Sequence, residues 1–390
     1  MSPAEPVTGL ILSGGGARAA YQVGVLAAIA ELLPAGASNP FPVIVGTSAG
    51  AINAVSLASG ALDFTAAIER LTAFWQGFRS HQVIRSDWPG VIRQATRFVG
   101  HSLLGLGAPV PVALLNSAPL RQLLNDKLQL SGIRHAIAQK HLQAVAVTAF
   151  GYESGQAVTF YQGGGTIEAW LRHRRIGLPT ELTVEHLLAS SAIPLLFAPV
   201  KIDQEFFGDG AVRQSAPISP ALHLGASRVL VVGVSGNPRG IDPQAPQQRS
   251  YTGQQPTLAQ IGGHMLNSTF IDSLESDIEL LQRLNQFSHL LPSGTPVRTL
   301  GVAPVEVLVI APSQPIDEIA ARHRHELPAA LRLFLRGPGA TKTSGAGVLS
   351  YLLFEAGYCS ELIELGRSDA LAKRDELRRF LGLAAEVATV

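Results

Sequence analysis

Apolar residues in the first half of the chain come in two spacings. Residues 7–12 form a short run broken only by Thr8 and Gly9, and residues 41–45 form another that ends in the β-branched pair Ile44 and Val45. Runs this short and dense read as buried strands. Each is followed by a stretch of helical character. In 19–33, Tyr21, Val25, Leu26, Ile29, Leu32 and Leu33 fall along one face, while 49–62 is small, mostly apolar and helix-compatible. Val147, the near-continuous run 229–234 and the run 305–310, which ends before Pro312, mark further strands. Strands alternating with helices predict an α/β fold, a three-layer sandwich around a mostly parallel central sheet, over residues 5–312.

Other segments depart from that rhythm. Residues 79–140 are read as helical, opening among Phe74, Trp75, Phe78, Trp88, Ile92 and Phe98, with Arg79, Arg85, Arg93 and Arg97 set against Asp87. Such a stretch suits either a lid that meets lipid or a plain covering layer. Residues 235–256, rich in Pro, Gly and Gln, read as a long loop. Residues 258–291 are predicted helical and locally acidic through Asp272, Glu275, Asp277 and Glu279. Beyond Pro315 the pattern predicts a helical C-terminal extension, 313–390, with helices at 323–334, 345–357 and 360–381 and a glycine-rich hinge at 337–345. Tyr351, Leu352, Leu353 and Phe354 are too apolar to be left in water. They are expected to pack on the sheet domain or across a homo-oligomer interface.

Two glycine clusters carry the chemistry. Gly46, Thr47, Ser48, Ala49 and Gly50 stand between a predicted strand and a predicted helix. A serine at such a turn has its hydroxyl pushed clear of the backbone, and the flanking glycines allow the sharp bend. The helix opening at Ala49 also points free N–H groups toward any negative charge that develops nearby. The second cluster is Ser13, Gly14, Gly15, Gly16, Ala17 and Arg18, again between strand and helix. Its N–H groups suit a phosphate or an oxyanion. A dinucleotide site would want an acidic residue at a strand end about 20 residues on, where Gly36 lies in a loop. A phosphate-binding Walker loop would want a lysine, and this stretch has none. An oxyanion hole needs only donors beside a nucleophile. Adjacent parallel strands would bring both loops to one sheet edge.

Three blocks in this order, Leu12 to Leu26, Gly46 to Asn53 and Asp209-Gly210-Ala211, resemble the signatures of the patatin-like phospholipases. The likeness spans residues 7–234, and the segment from Ser190 to Val200 resembles what that family carries before its third block. Two positions depart from it: Ala19, where many members have glycine, and Ala211, a common variant. The resemblance implies a Ser-Asp dyad without a catalytic histidine. Ser48 would be the nucleophile and Asp209 the base. Gly14, Gly15 and Gly16, joined by Ala49, would form the oxyanion hole. Arg18, Gly46, Gly50 and Gly210 would support the site, Arg18 by bracing the loop or by holding a substrate phosphate. No cofactor or metal is implied. The substrate would be a lipid ester met at a membrane or micelle surface.

An aspartate is a weak base toward a serine unless its surroundings raise its basicity, which burial beside Phe206 and Phe207 would do. The alternative is a Ser-Asp-His triad using one of His223, His264, His289, His323 or His325, all of which follow Asp209. None has the glycine or turn flanks of a histidine delivered by a loop. His223 is expected on the outer side of a helix.

Composition narrows the classes. With 30 Lys+Arg against 29 Asp+Glu, the net charge of +1 argues against nucleic acid as a partner. A single cysteine, Cys359, rules out an internal disulfide framework and fits a cytoplasmic protein peripherally associated with membranes. The basic cluster Arg172, His173, Arg174 and Arg175 reads as a solvated turn or a head-group contact. No stretch of 18 uninterrupted apolar residues or basic leader occurs. Two further readings keep the scaffold and change the outcome: an acyltransferase using the same acyl-enzyme, and a non-catalytic lipid-binding module.

Overall fold

Ten strands make one sheet in the computed structural model, which describes residues 6–83, 113, 115–165, 167–235, 255–290, 304–336 and 346–383. In chain order they are β1 (Thr8–Leu12), β2 (Val43–Thr47), β3 (Ala144–Gly151), β4 (Ala157–Gly163), β5 (Trp170–Arg172), β6 (Arg175–Pro179), β7 (Val200–Ile202), β8 (Glu205–Asp209), β9 (Arg228–Val232) and β10 (Glu306–Ile310). The dense apolar runs form the parallel centre, in the order β10-β9-β1-β2-β3. Beyond it, β4 pairs antiparallel with one edge of β3, and β8 pairs antiparallel with the other, continuing the edge that β2 occupies.

Helices flank the sheet. The first half contributes α1 (Ala20–Leu32), α2 (Ala49–Ser59), α3 (Phe64–Gln76), α4 (Ser80–Val83), α5 (Ala118–Lys127), α6 (Ser131–Ala138), α7 (Val184–Ser190) and α8 (Ser219–His223). The rest are α9 (Leu258–Asn267), α10 (Ser273–Leu290), α11 (Ile316–His323), α12 (Ala329–Arg336), α13 (Ala346–Leu352), α14 (Ala356–Ala372) and α15 (Arg374–Phe380). Alternation along the strands sorts the core into two. Leu10, Leu12, Ile44, Val145, Val147 and Leu230 face α1, α2, α3 and the C-terminal helices. Ile11, Val43, Val45, Ala146 and Val231 face the other way, toward Ala221 of α8 and Leu274 and Leu281 of α10. Each of the Leu, Ile and Val side chains, taken out of water, contributes about 1.5–3 kcal/mol.

The C-terminal helices share the first of these cores. Helix α14 lies directly on α1: a Cβ at Gly24 would overlap the Ile363 carbonyl, and one at Gly366 the carbonyl of Tyr21. Glycine at both positions is what permits that approach. The Tyr21 hydroxyl donates to Asp369 across the same contact at 2.9 Å. Tyr351, Leu352, Leu353 and Phe354 are all buried in this chain's own core.

Several sequence expectations shift. The helix placed at 345–357 ends at Leu352, and Leu353 to Glu355 are extended or turning before α14 starts at Ala356. The segment placed at 323–334 divides into α11, a 3-10 turn at Arg324–Glu326 and α12, because Pro328 cannot continue a helix. The 258–291 helix carries a π turn, Ser268–Asp272, where Thr269 donates to the Met265 carbonyl at 2.8 Å. Strands β4 to β6 were not foreseen. The Arg172–Arg175 cluster caps the β5–β6 hairpin, with Arg174 at φ 56°. The aromatic and basic stretch from Arg85 to Leu104, most of the 235–256 loop and the 337–345 hinge lie outside the described residues.

Candidate active site

Ser48 follows the last residue of β2 and precedes α2, with φ 55° and ψ −130°. A non-glycine residue held there stores about 1–3 kcal/mol of backbone strain, which persists only where the surroundings fix it. They do so here. The Ser48 N–H donates to Ser190 Oγ at 2.8 Å, and Ser190 donates to the Thr148 carbonyl at 2.6 Å, both in buried surroundings. Gly46 and Gly50 fit the close packing of this turn. A Cβ on Gly50 would strike the Leu12 and Ser13 carbonyls, so the turn sits against the end of β1 and the first glycine loop.

That loop runs from Ser13 into a 3-10 turn, Gly16–Ala19. Gly14 lies between Ser48 and Phe270: a Cβ there would come 3.0 Å from Ser48 Cβ and 2.7 Å from the phenyl ring. Gly16, at φ 56°, and Ala49 line the cleft beside Ser48. Gly15 turns its α-carbon toward Val234 and Arg18. A buried polar chain holds the loop in place. Trp75 Nε1 donates to Asn53 Oδ1 at 2.8 Å, and Asn53 donates to the Ala19 carbonyl at 3.0 Å and to Gln22 Oε1 at 2.9 Å. Gln22 in turn donates to the Ser13 carbonyl at 2.8 Å.

Asp209 reaches the same edge from β8. Thr47 pairs with Thr148 and Asp209 with Ala149, so the serine turn and the carboxylate meet at consecutive positions along one edge of β3. Along β8, alternation sends Phe207 and Asp209 inward and leaves Phe206 exposed; of the expected aromatic pair, Phe207 is the buried one. Gly210 packs against the Thr148 carbonyl. Asp209 is fully buried. Its Oδ1 accepts from the Ala211 N–H at 3.0 Å, while Oδ2 has no hydrogen-bond partner. Burial pushes its carboxyl up to about 7, against the pull of the Ser48 side chain and the Ala211 N–H. Below it, Thr47 donates to Gln214 Oε1 at 2.6 Å, and Gln214 Nε2 donates to Thr148 Oγ1 at 3.2 Å.

Arg18 has the buried, bracing position of the two that the sequence left open. It is 2% exposed, and its Nη2 lies 2.6 Å from Asp317 Oδ1. Nε donates to Ser350 Oγ at 2.9 Å, and the guanidinium stands 4.0 Å from the centre of the Tyr351 ring. All three partners belong to α11 and α13.

The cleft at Ser48 is apolar and narrow, about 30 Å³, and its walls include Ile52, Trp75, Phe78, Ile193, Phe197, Tyr351, Leu352 and Phe354. The last three lie in the C-terminal extension, whose part in the site the sequence did not reveal. The signal available was their apolarity, which indicates burial and not location. Ser190 and Asn53 stood inside the quoted blocks without a role.

Among the described residues no histidine lines this cleft. His223 stacks on Trp170 at 4.8 Å, and burial lowers its pKa. His186 is buried in a capping box with Thr183, and burial lowers it to about 4. Nor do the described residues contain a group of His, Cys, Asp or Glu side chains able to hold a metal ion.

A strained serine at a strand-to-helix turn, a glycine loop against it and a buried carboxylate beside it on the same strand edge define a serine hydrolase-like site. Residues 10–222 match the family model of the patatin-like phospholipases, and the chain belongs to that family. Comparison with curated proteins gives no match. Solved structures similar to the chain include VipD from Legionella pneumophila, at 13% identity over 96% of this chain and 67% of that one, TM-score 0.39. Another is human GIVD cytosolic phospholipase A2 in complex with methyl γ-linolenyl fluorophosphonate, at 16% identity over 97% of this chain and 59% of that one, TM-score 0.43. The chain therefore spans about three fifths of the human protein.

Proposed function

We propose that the protein is a lipid acyl hydrolase cleaving carboxylic esters of phospholipids, lysophospholipids or related lipids through an acyl-enzyme on Ser48. The observation that carries this reading is Asp209: fully buried, raised to about 7, with Oδ2 unpartnered next to the strained Ser48. A base whose pKa lies near the working pH balances availability against proton affinity.

As Ser48 Oγ attacks the ester carbonyl, Asp209 takes its proton. The negative charge on the carbonyl oxygen is met by N–H groups of the Gly14 to Gly16 loop and of Ala49 at the start of α2. Collapse of the tetrahedral species expels the alcohol, which leaves with the proton from Asp209. Asp209 then draws a proton from water attacking the acyl-enzyme, and the fatty acid departs with Ser48 restored. Among the described residues no helix is long and apolar enough to cross a membrane, so lipid would be met from the aqueous side.

The test combines a fluorophosphonate probe with a panel of phospholipid, lysophospholipid, monoacylglycerol and short-chain nitrophenyl esters. Labelling at Ser48 and release of free acid are expected. Absence of labelling across a range of pH would make the protein a binding module. Labelled acyl groups found on an added alcohol, without free acid, would make it a transacylase.

A further inference from the structure

A second cavity, about 650 Å³, lies along the outer side of α2 between α3 and the end of α5. It adjoins the Ser48 cleft, because Ile52 and Phe78 line both. The same helices supply the two spaces in sequence. Helix α2, just after Ser48, presents Ala49 and Ile52 to the cleft, then Ile52, Ser56 and Ser59 to the groove. Helix α5 turns Leu120 to the cleft and Leu123 to the groove. With 11 residues, α2 is about 16 Å long, so the trough follows it from the serine at its start to Ser59 at its end.

The two volumes differ in what they can hold. The cleft, about 30 Å³, has room for a water or two and none for a long chain. The groove has the size of a ligand pocket. Small side chains such as Ser56 and Ala73 leave that room open. The Ser59 hydroxyl donates to the Ser56 carbonyl of its own helix at 2.8 Å, which ties up its polarity. Phe74, Leu123 and Leu128 leave apolar surface partly exposed in the groove. Arg70 and Lys127 are exposed, and no carboxylate lines the groove among the described residues.

On the hydrolase reading above, we propose that this groove receives the acyl chain of the substrate and makes the enzyme selective for long-chain acyl esters. The ester carbonyl sits at Ser48, and the chain passes between Ile52 and Phe78 to run along α2. Phe78 stands where the two spaces meet. It follows Gly77, beyond the last turn of α3, and is held by ring contacts with Phe74 at 4.7 Å, Trp75 at 5.0 Å and Phe354 at 5.6 Å. The ring lines both cavities, and passage of the chain requires it to turn aside.

The experiment compares kcat/KM for nitrophenyl butyrate and nitrophenyl palmitate in the full chain and in two variants that fill the groove from different helices, Ser56→Phe and Leu123→Trp. The wild type is expected to favour palmitate at least tenfold, and each variant to lower the palmitate-to-butyrate ratio at least tenfold. An unchanged ratio in both variants overturns the proposal, whether or not both rates fall together. If the wild type hydrolyses neither ester, the hydrolase reading fails first. Binding of cis-parinaric acid, a fluorescent long-chain fatty acid, to the Ser48→Ala protein then decides. Binding that is lost on adding Ser56→Phe supports the groove, and absence of binding, or binding unaffected by Ser56→Phe, overturns it.

Discussion

Residues 8–59 and residues 316–380 press against the same cleft and do different work there. The first region holds Ser48 and the glycine loop, in geometry set largely by local backbone: a φ of 55° at Ser48, another of 56° at Gly16, and glycines where a Cβ would overlap the next turn. Among the described residues the second supplies no reactive group to the cleft. It contributes Tyr351, Leu352 and Phe354 as walls and Asp317 and Ser350 as the grip on Arg18. Chemistry confined to one short turn leaves a mark in one short stretch of sequence. Support that comes from 299 residues away leaves none that a local pattern can show.

The largest effects should fall on the first region and on its partner strand β8. Ser48→Ala and Asp209→Asn should each lower kcat by about a thousandfold or more, since members of such a unit fail together. An amide cannot accept the serine proton. Changing His223, His264, His289, His323 and His325 singly to asparagine should leave most of the activity. One essential histidine in a folded variant would falsify the dyad and blur the contrast between the regions.

Asp317→Ala tests whether the second region reaches the chemistry. It leaves a buried guanidinium with Ser350 and the Tyr351 ring as neighbours, at a cost of about 2–3 kcal/mol in stability because Asp317 is partly exposed. A loosened glycine loop should lower kcat about tenfold or more while KM changes little. Asp317→Asn, which keeps an acceptor, should recover much of it. If kcat is unmoved once the variant is folded, Arg18 secures the fold alone.

Asp209 also links rate to stability through pH. The activity should rise with pH to a plateau above about 7, where the carboxylate is free to take the proton. Stability moves the other way. With its folded pKa raised from 3.8 to about 7, the favourable neutral form is fully present below the unfolded value and is lost as pH climbs through the folded one. Above pH 7 the buried charge costs roughly 4 kcal/mol, of which a buried, half-satisfied amide would return about half. Asp209→Asn should therefore be inactive and about 2 kcal/mol more stable than wild type at pH 8, with no such gain at pH 4. Denaturant midpoints at the two pH values check it.

How much could be read beforehand follows from the same contrast. The parallel centre of the sheet was legible because β1, β2 and β9 are buried on both faces and so are mostly apolar along their length. Strands β4 to β6 were missed: β5 and β6 lie at the sheet edge, where Leu171, Arg172 and Leu178 are exposed and the pattern dissolves. The turn around Ser48 was legible through its glycines and its place between strand and helix, whereas Asp209 stood out only through the family resemblance. Buried chains such as Trp75-Asn53-Gln22 and Gln214-Thr148 were not, since a polar residue in an apolar stretch does not name its partner. Arg18 was visible as a charge beside a glycine loop. Only its distant acceptors fix where its guanidinium lies.

The smallest effect belongs to the second region and sharpens the comparison by its sign. His323, at the end of α11, lies between Glu326 and Glu361, each 2.5 Å from one ring nitrogen. Burial lowers its pKa, but the hydrogen bonds to Glu361 and Glu326 outweigh that, and the net shift is upward from 6.5. Glu361 moves in the complementary direction: burial raises it, and its bonds from His323 and Arg322 bring it below the usual carboxylate value. For His323 the added stability is fully present below the unfolded pKa of 6.5 and is lost as pH rises through the folded one. The pair of contacts is partly open to water, so the expected effect is small, a Tm lower by about 1–2 °C in His323→Gln at pH 6 and equal to wild type at pH 9. Because no part of this cluster lines the Ser48 cleft, kcat/KM at 25 °C should keep its wild-type pH profile in the variant. A rising limb displaced by His323→Gln would mean that the extension tunes the carboxylate as well as bracing the loop. The division of labour between the two regions would then have to be redrawn.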